Sequence, residues 1–316
     1  MELFLARPRG FCAGVNRAIA VVHKALDRYN APVYVLHEIV HNTHVIAELT
    51  KRGAVFVEHL TDIPKGAIAI FSAHGVSRAV VAEAKGIGLH TINATCPLVS
   101  RVHRRVRRLN RAGCDVLVIG HKGHPEVVGT CGHADGAVHV ISTPEEVYRL
   151  KVQHPERVGY VTQTTLSVDD TREILAAVHA RFPNIREPER TDICYATTNR
   201  QAAVRRLAEQ VDLVLIVGSR NSSNSNRLRE AAHLMGTPAY LIDDASEIDD
   251  SWLDGISRVG ISAGASAPEH LVTGVIGRLQ EQGAGEPVEM EGEQENISFI
   301  VPELEEIPGK QRKNGG

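Results

Sequence analysis

The sequence predicts an α/β fold of three related domains with mainly parallel sheets. Short apolar runs alternate with segments of helical periodicity, as in parallel sheets that helices cover on both faces. The same plan also occurs three times: a cysteine, an amphipathic helix, then an apolar strand that ends in a polar loop. In each copy the loop follows its cysteine by 28 or 29 residues. Three such units can pack around a pseudo-threefold axis.

In each copy we expect the cysteine to end a short strand and a helix to follow directly. The helices are predicted from apolar residues that recur every three or four positions. Pro97 suits the first turn of the second of these helices, and Gly113 suits its end. The apolar positions are Val15, Ala18, Ile19, Val22 and Leu26 after Cys12; Leu98, Val102, Val106 and Leu109 after Cys96; and Val204, Leu207, Ala208 and Val211 after Cys194.

Three apolar strands follow each helix, and the first and third end in polar tips. The first two are predicted at 33–36 and 55–57, at 116–119 and 138–141, and at 213–217 and 240–242. The tips of the third strands are 72–75, 162–165 and 262–266. Ligands bind outside the carboxyl ends of parallel strands. We therefore expect the cysteines and the polar tips to face one central point.

Composition narrows the possible functions. The chain has 316 residues, a formal net charge of −3, 43% hydrophobic residues and 4% aromatic residues. This charge provides no basic field for nucleic acid or an acidic membrane, and few aromatic side chains could stack on bases. Glu2 and Arg7 leave no room for a signal-peptide core, and no apolar run could span a bilayer. We expect a cytoplasmic protein with reduced thiols that binds neither nucleic acid nor a membrane.

Cys12, Cys96 and Cys194 occupy the same place in the three copies, which indicates one shared site. Thiolates favour iron–sulfur clusters, zinc or copper. A structural zinc ion needs four closed ligands, whereas a four-iron cluster on three thiolates keeps one iron open for a substrate. Cys114 and Cys131 lack this placement, so we interpret them as small buried apolar side chains.

The polar tips offer His, Ser, Thr and Asn donors, among them His41, His74 and His124. Many neutral donors at strand ends suit a bound phosphate or diphosphate. Glu126 lies two residues after His124, and beside an anion and a metal its pKa should be raised, which suits a proton donor. It could equally be a charge in the first turn of a helix that stabilises the helix dipole.

An arginine-rich segment predicts a solvated helix face or a docking site for an acidic electron-transfer protein. Its members are Arg101, Arg104, Arg105, Arg107, Arg108 and Arg111. Three alternatives remain open on the residues alone. They are a dehydratase similar to quinolinate synthase, a non-enzymatic sugar- or phosphate-binding protein, and a zinc hydrolase with Cys and His ligands.

Nine short segments that include the three cysteines and the polar tips match the pattern of one family. They are 9–15, 37–42, 72–76, 94–97, 120–126, 162–171, 193–201, 218–225 and 264–268. On these segments the sequence resembles the 4-hydroxy-3-methylbut-2-enyl diphosphate reductase family, also called the IspH/LytB family. A set of nine segments in the same order is far more specific than a single glycine motif.

The resemblance implies three pseudo-threefold-related α/β domains around a central [4Fe–4S] cluster, with Cys12, Cys96 and Cys194 as its ligands. It also implies that the N-terminal strand joins the third domain. The predicted domains are therefore 14–96, 97–193, and 194–282 together with 1–13. Residues 283–316 are rich in Glu, Gly and Gln and are predicted to form a loosely held C-terminal tail.

The implied reaction is reductive dehydroxylation of (E)-4-hydroxy-3-methylbut-2-enyl diphosphate to isopentenyl diphosphate and dimethylallyl diphosphate. This is the last step of the methylerythritol phosphate route to isoprenoids. The substrate hydroxyl would bind the open iron, Glu126 would relay protons, and a ferredoxin or flavodoxin type protein would donate electrons. The implied catalytic residues are Glu126, Thr164 and His124, and the implied substrate-binding residues are His41, His74, His124, Thr164, Ser222, Ser223, Asn224 and Ser266.

Overall fold

A computed structural model describes residues 1–29 and 31–307, and these residues form twelve β-strands and ten α-helices. The strands are β1 (Glu2–Leu5), β2 (Val33–Leu36), β3 (Ala54–Val57), β4 (Ile68–Phe71), β5 (His90–Asn93), β6 (Asp115–Ile119), β7 (Val138–Ile141), β8 (Val158–Thr162), β9 (Leu213–Val217), β10 (Ala239–Ile242), β11 (Arg258–Ala263) and β12 (Pro287–Glu289). The helices are α1 (Ala13–Arg28), α2 (Thr43–Lys51), α3 (Arg78–Ile87), α4 (Pro97–Arg111), α5 (Pro125–Cys131), α6 (Pro144–Arg149), α7 (Val168–Arg181), α8 (Tyr195–Ala208), α9 (Ser223–Leu234) and α10 (Glu269–Glu281).

The strands form three parallel sheets, which confirms the predicted fold class. Their strand orders are β3-β2-β4-β5, β7-β6-β8 and β10-β9-β11-β1-β12. Every strand pair in the three sheets is parallel. All residues of β4, β6, β8 and β9 are buried, as expected for strands that are covered on both faces.

The first strand of the chain lies in the sheet of its last repeat, as the resemblance implied. Leu3 pairs with Val259 of β11 on one side and with Pro287 of β12 on the other. Residues at opposite ends of the sequence thus share one sheet. This pairing carries Cys12, seven residues beyond β1, to the carboxyl edge of that sheet.

Two compact units can be distinguished within the chain. Among the described residues, one comprises 1–15, 41–45 and 194–297, and the other comprises 16–29, 31–40, 46–193 and 298–307. The first contains the five-stranded sheet and the second contains the other two. The division into three domains at 14–96, 97–193 and 194–282 with 1–13 stays a prediction.

The helices bury the apolar side chains from which they were predicted. Val102, Val106 and Leu109 of α4 pack against β6 and β8 in one core cluster. Val204 and Leu207 of α8 pack in the same way against β9. Each such side chain contributes about 1.5–3 kcal/mol when it is fully buried. No helix in the described ranges has the length and apolarity needed to cross a membrane.

The expectation that each cysteine ends a strand is wrong, because each lies beyond the strand at the start of a helix. Cys96 follows the end of β5 by three residues. Before Cys194 there is only an isolated bridge between Gly159 and Arg186. Pro183 and Pro188 flank this bridge. Since proline has no N–H to donate, a longer ladder cannot form there.

The expectation of a loosely held tail is also wrong for the described part of that segment. Residues 287–289 form β12 at the edge of a sheet. Lys24 Nζ donates to the carbonyl of Pro302 at 3.1 Å, and Tyr29 Oη donates to that of Glu305 at 2.7 Å. Leu304 is 6% exposed. Composition hid these contacts because their partners lie far away in sequence. Residues 308–316 of the predicted tail lie outside the described residues.

Close packing of α8 on β11 yields a test of the fold. A Cβ at Gly260 would lie 2.7–2.9 Å from three side-chain atoms of Leu207. Gly260→Ala should lower the free energy of unfolding by about 1–3 kcal/mol, because this buried contact leaves no room for a methyl group. Urea denaturation measures the change.

Gly274→Ala is the matched control. This glycine lies in the middle of α10, and a Cβ there would meet nothing within 4 Å. Alanine should raise the free energy of unfolding by roughly 0.4–1 kcal/mol. Equal effects of the two substitutions would contradict the packing described for α8.

Candidate functional site

Three cysteines lie at the beginning of three helices. Cys12 directly precedes α1, Cys96 is the N-cap of α4, and Cys194 is the N-cap of α8. None of the three is in a disulfide bond, and all are partly exposed. The Cys194 sulfur accepts a hydrogen bond from the backbone N–H of Thr197 at 3.4 Å. The positive end of a helix dipole favours the thiolate form, which is the form that ligates metals.

Backbone hydrogen bonds hold two of these cysteines at strand tips in the same way. The N–H of Cys12 donates to the carbonyl of Ala265 at 3.2 Å, and the N–H of Cys96 donates to that of Ala73 at 3.0 Å. Before Cys194 a side chain replaces this contact: the Asp192 carboxylate accepts from the N–H of Thr162 at 3.3 Å. Burial raises the pKa of Asp192.

Cys12 acts electrostatically on Tyr195, the residue that follows Cys194. Tyr195 follows Cys194, and its pKa is raised to about 12, first by burial and then by the nearby Cys12 thiolate. Cys114 is buried just before β6, and Cys131 is the last residue of α5, where burial raises the pKa of its thiol. Neither of these two cysteines begins a helix.

Single-ion metal sites need at least three ligating side chains close together. Within 1–29 and 31–307, no three His, Cys, Asp or Glu side chains lie close enough to hold one metal ion. The zinc-hydrolase alternative needs such a group. A four-iron cluster is wider than one ion, so its thiolate ligands can lie farther apart. The donor set that fits it is the set of three thiols at helix starts.

Four of the predicted site residues come together in the second unit. Glu126 lies in the first turn of α5 and accepts hydrogen bonds from Thr164, at 2.6 Å from its N–H and 2.9 Å from its hydroxyl. His124 caps the same helix, because its Nδ1 accepts from the N–H of Glu126 at 3.1 Å. The rings of His74 and His124 meet edge to face with centroids 5.8 Å apart.

Burial decides the protonation of Glu126. Only 2% of its surface is exposed. Loss of hydration raises its pKa to about 7, although the two hydrogen bonds from Thr164 act in the opposite direction. A carboxyl group with this pKa can hold a proton at neutral pH and release it. Glu126 does lie in the first turn of α5, as the helix-dipole alternative expected, and its burial adds the raised pKa.

The other predicted substrate-binding residues come together in the first unit. The Ser266 hydroxyl donates to the carbonyl of His41 at 2.8 Å. Ser222 caps α9, which begins at Ser223. Asn224 is 4% exposed; its Oδ1 accepts from the N–H of Ala265 at 2.8 Å, and its Nδ2 is buried without a hydrogen-bond partner. An orphaned buried donor next to a helix N-terminus is suited to an anion.

Sequence reasoning missed several polar residues. Gln163 is 2% exposed; its Oε1 accepts from the N–H of His121, and its Nε2 donates to Thr165. Asn42 caps α2 through its Oδ1, and its buried Nδ2 has no partner. Both lie beside predicted residues, and that adjacency was the available signal. Arg200 forms a buried ion pair with Glu295, which no local pattern indicates.

Comparison with known proteins gives consistent results. A sequence model described as LytB protein matches residues 3–280. The chain is 57% identical over 305 residues to 4-hydroxy-3-methylbut-2-enyl diphosphate reductase of Klebsiella pneumoniae, with 96% of each protein covered. It is 56% identical over 306 residues to the protein of that name from Pseudomonas aeruginosa, covering 96% of this chain and 98% of that one.

A solved structure extends the likeness to the fold. The E-1-hydroxy-2-methyl-but-2-enyl-4-diphosphate reductase from Plasmodium falciparum superposes with a TM-score of 0.89 at 36% identity, covering 96% of this chain and 95% of that one. The family match at 3–280 includes the three cysteines and every predicted substrate-binding residue. The chain therefore belongs to the LytB family of 4-hydroxy-3-methylbut-2-enyl diphosphate reductases and is an oxidoreductase.

Proposed function

We propose that this chain reductively dehydroxylates (E)-4-hydroxy-3-methylbut-2-enyl diphosphate to isopentenyl diphosphate and dimethylallyl diphosphate, as the last step of the methylerythritol phosphate pathway. Each substrate consumes two electrons and two protons, and its hydroxyl oxygen leaves as water. The observation that carries the proposal is Glu126, a buried carboxyl group with a pKa near 7 beside the Thr164 hydroxyl. Anaerobic turnover with a chemical reductant, followed by product analysis, tests the reaction.

We infer that Cys12, Cys96 and Cys194 hold one [4Fe–4S] cluster. The support is the chemistry of the donor set: three thiols at helix starts, none of them in a disulfide bond. When bound, such a cluster supplies single electrons and a Lewis-acidic iron. The protein would provide three thiolate ligands. Cys114 and Cys131 begin no helix, so neither is proposed as a fourth ligand.

In this proposal Glu126 is the proton donor and Thr164 passes the proton on. The Thr164 hydroxyl donates to a Glu126 oxygen at 2.9 Å. When Glu126 is protonated, the same hydroxyl can accept its proton and turn its own toward the leaving oxygen. His124 holds the carboxyl group in place through the capping bond to the Glu126 N–H. Burial excludes water, which would otherwise compete for the proton.

The diphosphate is bound in this proposal by neutral donors rather than by cations. The orphaned Nδ2 of Asn224 and the N-terminus of α9 at Ser223 offer N–H groups to phosphate oxygens. The histidines and hydroxyls at the strand tips add further donors. The proposed set is His41, His74, His124, Thr164, Ser222, Ser223, Asn224 and Ser266.

Family membership removes the support for a non-enzymatic binding protein. The dehydratase alternative differs in its electron balance, because loss of water alone needs no electrons. A strict requirement for a reductant in the turnover assay therefore separates the two reactions.

Electrons would reach the protein from a ferredoxin or flavodoxin type donor. A cavity of about 390 Å³ in the second unit is lined by five arginines and by Glu189 and Asp192. Four of the arginines lie on α4, which begins directly after Cys96. At 1.5 Å per residue, they are about 8–18 Å from Cys96 along the helix axis. An acidic protein bound there would lie near a proposed cluster ligand. The arginines are Arg101, Arg104, Arg105, Arg108 and Arg190.

The cluster ligands can be tested by single Cys→Ser substitutions. Cys12→Ser, Cys96→Ser and Cys194→Ser should each lose most of the iron and sulfide bound by the wild-type protein, because serine is a poor ligand for soft iron. Iron and sulfide analysis after anaerobic purification, with the absorbance near ~400 nm, measures the loss.

The remaining two cysteines are matched controls. Cys114→Ser and Cys131→Ser should retain wild-type iron content. Iron loss in these controls, or iron retention in any of the first three variants, would sink the assignment.

Glu126→Gln should keep the iron content and lower kcat by roughly 10²–10⁴-fold, because the amide has no proton to transfer. In the wild-type protein, kcat should fall as pH rises above about 7, where Glu126 loses its proton. The variant should lack this limb of the pH profile. Steady-state rates across pH measure both effects, and a wild-type profile in the variant would refute the proton role.

The same substitution has a signature in stability. The pKa of Glu126 is raised in the folded state, so its protonated carboxyl group stabilises the fold. This contribution to the free energy of unfolding is fully present below the unfolded-state pKa of 4.5. That contribution is lost as pH rises through about 7. The free energy of unfolding of Glu126→Gln should therefore fall less than that of the wild type over this interval.

The donor cavity can be tested by charge reversal at two exposed arginines. Arg104→Glu with Arg108→Glu should slow reduction by an acidic protein donor on the order of 10-fold or more at low salt. The rate with a small chemical reductant should stay unchanged. Lys85→Glu reverses an exposed charge on α3, outside the cavity, and should match the wild type. Equal rates for both variants with the protein donor would place electron entry elsewhere.

A further inference from the structure

Arg200 is the largest fully buried side chain of the described residues, with 1% of its surface exposed. It lies on α8, six residues after Cys194. Its Nε donates to the carbonyl of Gly10 at 3.0 Å, and its Nη2 donates to that of Phe11 at 3.3 Å. These two carbonyls belong to the residues directly before Cys12. One guanidinium therefore holds the loop of one cysteine against the helix of another.

Glu295 neutralises this guanidinium. Its carboxylate accepts from Nη1 of Arg200 at 2.9 and 3.1 Å and from Nη2 at 3.1 Å. Nη1 also donates to the carbonyl of Ala196, at 3.0 Å. All five N–H groups of Arg200 thus have acceptors. The side chain of Glu295 is itself only 13% exposed.

Glu295 reaches Arg200 on a segment that runs beside the Cys12 loop, and we call residues 290–295 the strap. The N–H of Met290 donates to the carbonyl of Leu5 at 2.9 Å. A Cβ at Gly292 would lie 1.9 Å from the carbonyl oxygen of Arg7, so only glycine fits there. Backbone contact at both points fixes the path of the strap toward Arg200.

We propose that the Arg200–Glu295 pair is a positioning device that sets the distance between the Cys12 and Cys194 thiolates, with the strap as its closing element. This proposal rests on the proposed cluster, for which Cys12 and Cys194 are both ligands. The Cys12 loop is also tied by two N–H donors, from Gly10 to Ala263 and from Cys12 to Ala265. Arg200 holds the carbonyl side of the same loop. Hydrogen bonds thereby hold both the N–H groups and the carbonyl groups of this irregular loop.

The energetics make the pair sensitive to the loss of either member. A buried guanidinium without its carboxylate leaves an uncompensated charge, which is strongly destabilising. The ion pairs of Glu289 with Arg7 and Arg9 are more exposed and contribute far less. Glu295 also lies outside residues 3–280 that the family model matches.

Thiol reactivity in the cluster-free protein tests the proposal without relying on turnover. The rate of iodoacetamide alkylation at Cys12 can be followed by peptide mass spectrometry after anaerobic removal of iron. In Glu295→Gln it should rise on the order of tenfold, because the loop before Cys12 opens more often. In the iron-loaded form, the same variant should lose its cluster to a chelator faster and show an altered paramagnetic resonance signal.

Glu293→Gln is the matched control. It makes the same change of charge two residues away, at an exposed position of the strap. Its Cys12 should react at the wild-type rate. Cys114, which is buried before β6, reports global unfolding and should stay unreactive in both variants.

Glu295→Asp guards against a variant that simply fails to fold. It keeps the charge and should give a smaller rise at Cys12 with Cys114 protected. Unchanged Cys12 reactivity in Glu295→Gln would overturn the proposal. A uniform rise at Cys12, Cys96 and Cys114 in Glu295→Gln and Glu295→Asp would also overturn it, because the pair would then stabilise the whole fold rather than the loop before Cys12. A wild-type protein that binds no iron would instead refute the proposed function, whatever the alkylation rates.

Discussion

The direction of the strands is the constraint on which the rest of the structure depends. Every pair in the three sheets is parallel, so each strand in a sheet ends at the same edge. A helix must follow to bring the chain back, and its N-terminus then lies at that edge. Cysteines, histidines and hydroxyls placed between strand end and helix start therefore collect where backbone N–H groups point outward.

Burial is the largest influence on the pKa of Glu126. Glu126 keeps its proton because it is buried, and the Thr164 hydroxyl beside it is neutral. A lysine or arginine in contact would lower the pKa of this carboxyl group and remove it as an acid at neutral pH. One protein can therefore contain both a protonated carboxyl group and the neutral donors proposed to bind a diphosphate. The arginines of α4 line a separate cavity.

Irregular segments are held by polar contacts between residues far apart in sequence, rather than by hydrogen bonds between paired β-strands. Arg200 and Gly10 are 190 residues apart in sequence, and Tyr29 and Glu305 are 276 apart. The loops before Cys12 and Cys194 contain prolines or a glycine with positive φ, which cannot extend a sheet. A buried arginine with several acceptors can hold such backbone in place, because its donors point in fixed directions.

The sequence by itself determined the elements, because apolar periodicity and turn residues are local. The strands β2, β7 and β9 have the predicted bounds, and α4 and α8 bury the predicted faces. The repeat and the motifs also identified Glu126 and Thr164 as candidates, which the structure brings into contact.

The tertiary structure identified burial as the largest cause of the raised pKa of Glu126, whereas the sequence had predicted a raised pKa from an anion and a metal. The tertiary structure also decided that the cysteines begin helices beyond the strands and that the glutamate-rich segment after residue 283 is held in place. Composition cannot show that Glu295 meets a buried arginine. That contact exists because β1 and β12 share a sheet, which brings the two ends of the chain together.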